Sequence, residues 1–401
     1  MKKILFVINA LDGGGAEKSL VSLLHELEKY KNEYAIDLLI PYEKGMFYSQ
    51  IPEYINRVPI SNGLYYMTHP LKNLFHARKF NPCYLFRKII WVKKQKGIKR
   101  KKSGEKEQEL WKLWKEYIPE LPGKYDVAIS YLNGYTNYFV IDKVNASKKI
   151  LWIHNEYQKI GYESSYDEKY YDAADQIITI SDSCVSSFIE VFPMFKDKIK
   201  VLENISSGIL IRQLADEELL EDSFKTFQGL KVLSIGRIVE QKNFKLAIES
   251  AENLHKSHPE LAFRWFVIGK GPLQNELETL IINKNLENYF EFIGVRSNPY
   301  PYIKDADVFV QTSIFEGKSI VIDEAKILQK PIICTNYATV GNSISDRITG
   351  LVVNQTAQDV SNAIYLLLTS EEMKESLVSN LTVFSNGNID ELEKYIEEFE
   401  R

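Results

Sequence analysis

Short runs of β-branched and aromatic residues, each followed by a segment of helical length, recur from one end of the chain to the other. This alternation constrains the fold most, because continuous apolar strand runs separated by helices are the mark of parallel sheets covered on both faces. The candidate strands of the first half are Ile4–Ile8, Ala35–Ile40, Val127–Ser130, Ile150–Ile153 and Gln176–Ile180. Those of the second half are Lys231–Ser234, Phe263–Ile268, Tyr289–Phe292, Val308–Gln311, Pro331–Cys334 and Gly350–Val353. Lys18–Tyr30 reads as a helix with Leu20, Leu23, Leu24 and Leu27 on one face. Around Asn204–Gln228 the pattern lapses into a polar, acidic stretch, and a domain linker is expected there. A chain of 401 residues has room for two or three domains at roughly 150 residues each. The expected fold class is α/β: two Rossmann-like, doubly wound domains facing across a cleft.

The N-terminus imitates a signal peptide, with Met1-Lys2-Lys3 before Ile4–Ile8. The apolar run stops at Asn9, Asp12 and three glycines, too early for a secretory core and without a small-residue cleavage site, so a buried first strand is expected. No stretch approaches the ~20 apolar residues of a spanning helix. Cys83, Cys184 and Cys334 are odd in number, distant and without metal-ligand spacing, which fits a reducing, cytoplasmic compartment. Neither Asp305-x-Asp307 nor Asp172-x-x-Asp175 reads as a metal site, since each precedes a strand as a helix-ending turn would. No metal is expected.

Residues 69–104 break the regularity. They contain Lys72, Arg78, Lys79, Arg87, Lys88, Lys93, Lys94, Lys96, Lys99, Arg100, Lys101 and Lys102 and no acidic residue, in a chain whose net charge is −4. Phe75, Phe80, Tyr84, Leu85, Phe86, Ile89, Ile90 and Trp91 interleave with the cations. A solvated insertion and an interfacial segment on an anionic membrane are both open readings. Nucleic acid is not expected, because no binding motif accompanies the charge.

Several segments could carry chemistry. Gly13-Gly14-Gly15 follows the first strand and opens a helix, where glycines let the backbone approach an anion and the helix start offers N–H groups. It does not complete a dinucleotide fingerprint. Ser234-Ile235-Gly236-Arg237 followed by Gln241-Lys242-Asn243 places two cations at a strand end and a helix start, suited to a diphosphate. Gly269-Lys270-Gly271-Pro272 is another glycine turn at the same sheet edge. The most specific stretch is Phe315-Glu316-Gly317-Lys318-Ser319-Ile320-Val321-Ile322-Asp323-Glu324-Ala325. It fails as a phosphate-binding P-loop because the earlier glycine would fall at Thr312. It does place a carboxylate in a loop and another eight residues on, suited to accept from paired hydroxyls of a ribose or sugar. The N–H groups of Lys318, Ser319 and Ile320 would face phosphate oxygens. His154 ends a strand in Trp152-Ile153-His154, where a structural histidine is an equally open reading.

Taken in order, these pieces resemble the retaining nucleotide-sugar glycosyltransferases of family 4 with the GT-B fold, the "glycosyl transferases group 1" type. The likeness spans nearly the whole chain and is strongest over Lys231–Val353, through Glu316-x7-Glu324 and the Gly236-Arg237…Gln241-Lys242-Asn243 stretch. It implies that Arg237 and Lys242 hold the donor diphosphate, Glu324 the ribose hydroxyls, and Glu316 and His154 the transferred sugar. Gly14, Gly15 and Gly269 would complete the donor site. A UDP-sugar donor, no metal or other cofactor, and an acceptor hydroxyl on a glycan or lipid-linked glycan of the bacterial cell envelope are expected. A protein acceptor, a non-catalytic partner subunit and a sugar-nucleotide epimerase are the alternatives. The implied domains are 1–205 for the acceptor, with the insertion 69–104, 206–385 for the donor, and 386–401 as a helix returning to the first domain. The protein would be cytoplasmic, peripheral to the cell membrane. Two departures stand out: serine at 319, where many members have glycine, and no glutamate in Val340–Ser345.

Overall fold

Among the described residues, every paired strand runs parallel to its neighbour. The structure is a computed structural model, and it describes residues 1–12, 14–43, 45–76, 81–97, 102–316 and 319–401, with the side chains of 75–76 and 94–97 outside the description. The first sheet comprises β1 (Lys2–Val7), β2 (Tyr34–Leu39), β3 (Asn56–Arg57), β4 (Leu121–Ser130), β5 (Val144–Ile153), β6 (Gln176–Thr179) and β7 (Ile199–Val201), in the order β3-β2-β1-β4-β5-β6-β7. The second comprises β8 (Leu230–Ile235), β9 (Phe263–Ile268), β10 (Phe290–Gly294), β11 (Val308–Gln311), β12 (Ile332–Thr335) and β13 (Leu351–Val353), in the order β10-β9-β8-β11-β12-β13. Both orders are the doubly wound 3-2-1-4-5-6, with one further strand in the first sheet. The chain divides into two compact units, Met1–Ile205 with Asp390–Arg401, and Ser206–Ile389. Two Rossmann-like α/β units define the GT-B class.

Central strands are apolar because helices cover both of their faces: all of β6, β11 and β12 is buried. Three aspartates register the strand bottoms. Asp126, Asp175 and Asp307 each accept a 2.7 Å hydrogen bond from a backbone N–H of the adjoining strand, those of Lys3, Lys149 and Lys231. The last two belong to the pairs that the sequence reading set aside as turns.

Two readings need correction. Strands β3 and β7 were not anticipated; both sit at sheet edges, are two and three residues long, and lack the continuous apolar run of a covered strand. The two units do divide within the stretch expected as a linker, between Ile205 and Ser206, but that stretch is not a plain linker, since it holds helices Gly208–Ala215 and Ser223–Thr226. Leu210, Ile211, Leu214 and Phe224 are buried there, so four apolar anchors suffice despite the acidic surroundings.

The last helix, Glu391–Glu400, packs on the first unit. Tyr395 stacks on Trp152 with ring centroids 5.4 Å apart, and Phe399 meets Phe6 and Tyr34 edge-on. Within the basic segment the structure finds a helix, Pro82–Gly97, followed by Ser103–Trp114, with Trp91, Trp111 and Trp114 buried. Arg78, Lys79, Phe80, Lys99, Arg100 and Lys101 lie outside the described residues. Among the described residues no helix is long and apolar enough to cross a membrane.

Candidate functional site

In the second unit β8 lies between β9 and β11, so the connections leaving β8 and β11 turn to opposite sides of the sheet. A crevice opens at the carboxyl ends of such strands. The loop after β8 carries Gly236, Arg237 and a 3-10 turn over Glu240–Lys242; the loop after β11 carries Thr312–Glu316. The two are stitched together: Thr312 Oγ1 donates to Lys242 O at 2.9 Å, Ile314 N to Gln241 O at 2.8 Å, and Gln241 Nε2 to Phe315 O at 3.0 Å.

That stitching sets Lys242 Nζ 2.6 Å from Glu316 Oε1, with side-chain exposures of 16% and 9%. Ser313 Oγ donates to the same carboxylate at 2.7 Å and Gln241 Nε2 at 3.2 Å. Glu316 is therefore fully engaged within its own unit. The Lys242 stem lies across Gly236, where a Cβ would come 3.1 Å from Lys242 Cε. Gly269 is needed for close packing of backbones, since a Cβ there would sit 1.9 Å from Gly236 O. Arg237, by contrast, is exposed, and its guanidinium has no ion pair or side-chain hydrogen bond among the described residues.

Helix Ile320–Ile327 begins in the same crevice, with Ser319 as its N-cap. A capping serine ordinarily accepts from the first-turn N–H groups. Here its hydroxyl donates instead to Gln311 Oε1 at 2.6 Å, and no side chain caps the helix. Gln311 Nε2 in turn donates to Tyr337 OH at 3.3 Å. The first-turn N–H groups thus take no cap from Ser319, and a helix start favours anions. Glu324 is buried further along this helix and accepts from Tyr300 OH at 3.2 Å. Gly317 and Lys318 lie outside the described residues.

The remaining predicted residues belong to the first unit. Gly14 is the N-cap and Gly15 the first residue of helix Gly15–Glu26. The Glu17 carboxylate folds back over this start, so close that a Cβ on Gly14 would meet it at 2.1 Å. Burial raises its pKa, against the pull of the Glu17 and Gly14 backbone. His154 follows β5, buried, its ring 5.2 Å from that of Tyr131. Burial lowers its pKa to about 4, opposed by the Tyr131 backbone, so the imidazole is neutral at pH 7.

The structure thus gathers Lys242, Glu316, Ser319 and the start of helix Ile320–Ile327 around one crevice. Gly14, Gly15 and His154 sit at loops of the other sheet. Sequence reasoning missed the supporting roles of Ser313, Gln311, Tyr337 and Tyr300. A polar residue at a strand end carries no local signal for the partner it finds. Among the described residues no group of three or more His, Cys, Asp or Glu side chains is placed to hold a metal ion. A cavity of about 330 Å³ beside β13, lined by Asp346, Arg347 and Asp359 among others, includes none of these residues.

The two doubly wound units have the GT-B fold. Residues 216–384 match the model of the family "Glycosyl transferases group 1". The chain is 30% identical over 203 residues to the uncharacterized glycosyltransferase MJ1059 of Methanocaldococcus jannaschii, covering 49% of this chain and 50% of that one. It is 30% identical over 168 residues to the N-acetylgalactosamine-N,N'-diacetylbacillosaminyl-diphospho-undecaprenol 4-alpha-N-acetylgalactosaminyltransferase of Campylobacter jejuni, covering 42% and 43%. The chain thus spans about half the length of these relatives. Its fold is similar to that of Anabaena HepE, solved in complex with UDP and glucose, at a TM-score of 0.65, 16% identity and 99% of each chain.

Proposed function

We propose that the chain is a retaining glycosyltransferase of the family 4 kind, moving a hexose from a UDP-sugar to a hydroxyl of a lipid-linked glycan in bacterial envelope polysaccharide synthesis. The observation that carries this reading is the Lys242–Glu316 pair at the carboxyl ends of β8 and β11, with helix Ile320–Ile327 left uncapped by Ser319 and Arg237 exposed on the loop after β8. Cations and preorganised N–H groups aimed at a departing diphosphate provide electrostatic catalysis. The C1–O bond to the β-phosphate breaks as C1 bonds the acceptor oxygen on the same face, and the acceptor proton passes to the leaving diphosphate. Glu324 is assigned to the ribose hydroxyls, and Glu316 and His154 to the transferred sugar. Gly14, Gly15, Gly269, Lys318, Ser319 and Ile320 are assigned to the rest of the donor, with no metal in the step. UDP is favoured by the UDP bound in Anabaena HepE, and a lipid-linked acceptor by the diphospho-undecaprenol in the name of the Campylobacter relative. The cationic run 69–104 is assigned to an anionic membrane surface on the cytoplasmic side.

Incubation with UDP-sugars and a polyprenyl-diphosphate-linked glycan tests the reaction. Free UDP plus an α-configured glycoside is expected. An epimerised donor formed without acceptor, or no turnover of any nucleotide sugar, contradicts it. For the membrane surface, neutralising Lys93–Lys102 should release the protein from anionic vesicles, and unchanged binding refutes that part.

A further inference from the structure

The helix Pro82–Gly97 inverts the usual arrangement of a surface helix. Its cations at 87 and 88 turn inward. Lys88 is buried, with Nζ 2.7 Å from Met67 O, and burial lowers its pKa to about 8. Arg87 Nη1 donates to Leu113 O at 2.9 Å, and its guanidinium lies 3.6 Å from the Tyr117 ring centroid. Trp91 is buried on that same inner side. The outer side presents Cys83, Phe86, Ile90 and Lys93, spaced i, i+3, i+7 and i+10, which align along one face. Phe86 is 65% exposed and Ile90 43%.

A single exposed apolar residue needs no explanation. Here two bulky ones share the outer face of a helix whose adjacent cations, Arg87 and Lys88, turn to its inner side. The surrounding run, 69–104, has twelve Lys and Arg and no Asp or Glu. A partner for this face must accept apolar side chains and be anionic around them. A second copy fits poorly, because it would bring an equal cationic run against this one. An anionic bilayer meets both conditions, with headgroups for the lysines and an acyl boundary for the rings.

We propose that Phe86 and Ile90 enter the headgroup–acyl boundary of an anionic bilayer, with Lys93 lying against lipid phosphates. This rests on the membrane reading above and adds apolar insertion to it.

Cys83 supplies the probe, since it is exposed whereas Cys184 and Cys334 are buried. An environment-sensitive fluorophore on Cys83 of the full chain should shift to the blue and resist aqueous iodide on phosphatidylglycerol-containing vesicles. It should do neither on phosphatidylcholine alone. A control label at Val383→Cys in a Cys83→Ser background should stay unchanged. Phe86→Ser with Ile90→Ser should weaken partitioning about tenfold or more, with circular dichroism unaltered. Binding to anionic vesicles with a quenchable label and an unaffected double variant overturns insertion while leaving electrostatic association standing. Absence of vesicle binding overturns both. A blue shift that grows with protein concentration without vesicles assigns the face to a second copy and overturns the proposal.

Discussion

Lys242 and Glu316 form a 2.6 Å ion pair in which the carboxylate also accepts from Ser313 and Gln241. The proposed diphosphate ligand and the proposed sugar ligand therefore neutralise each other in this structure. On the proposed assignment, an incoming diphosphate would compete with Glu316 for Lys242 and, by taking the ammonium, would release the carboxylate toward the sugar.

Separate substitution of the two residues should split binding from turnover. Lys242→Ala loses a charge-assisted contact of about 1.5–3 kcal/mol, roughly ten- to a hundredfold in UDP affinity. Glu316→Ala frees Lys242, so UDP should bind at least as tightly while sugar transfer is lost. Titration calorimetry with UDP beside an assay of UDP release checks both; parallel losses in the two variants would show that the pair acts only as a structural tie.

Gln311 holds the Ser319 hydroxyl away from the helix start. Gln311→Leu should let that hydroxyl cap the first turn and compete with phosphate. Capping stabilises a helix by about 0.5–2 kcal/mol, so UDP affinity should fall by about two- to thirtyfold. Adding Ser319→Ala removes the competing hydroxyl and should restore affinity. Failure of the double variant to recover would mean that Gln311 acts through packing.

His154 makes stability depend on pH. Its folded pKa of about 4 lies below the ordinary value of 6.5, so the unfolded chain binds the extra proton between those two values. Stability from this residue is present above pH 6.5 and is lost as pH falls toward 4, by up to about 3 kcal/mol. Urea midpoints across pH 4–7 should fall less steeply for His154→Gln. Identical slopes would contradict the burial argument.

Glu398 anchors the last helix between two cations, 3.5 Å from Lys148 Nζ and 2.5 Å from Lys200 Nζ, with only 6% of its side chain exposed. Both lysines keep some solvent, so Glu398→Ala should cost about 2 kcal/mol, between exposed and fully buried pairs. Chemical denaturation of the full chain measures it, and an unchanged midpoint would show that Tyr395 and Phe399 alone hold the helix.

The strands that water never reaches were the legible ones. Phe263–Ile268 and Val308–Gln311 announce themselves as runs that are apolar but for Arg264 and Gln311, and form with those same bounds. Asn56–Arg57 gave no such signal, because an edge strand of two exposed residues has no covered face to fill. At the crevice, the residue types of Lys242 and Glu316 were readable, since cations and carboxylates beside glycines imply ligand chemistry. Their pairing was not. It joins positions 74 apart in the chain through the neighbouring of β8 and β11, which only the fold creates. The Ser319 hydroxyl illustrates the same limit: a serine before a helix reads as a cap, and only Gln311, brought close by β11, turns it away.

The most direct test of the crevice as a nucleotide-sugar site is thermal stabilisation by UDP, GDP, ADP and dTDP, with Glu324→Ala and Lys242→Ala as controls. At 100 times its dissociation constant, a ligand adds about 2.7 kcal/mol, a readable rise in Tm. We expect UDP to stabilise the native protein, and both variants to lose most of that rise. No stabilisation by any of the four nucleotides, or an equal rise in both variants, would contradict the assignment.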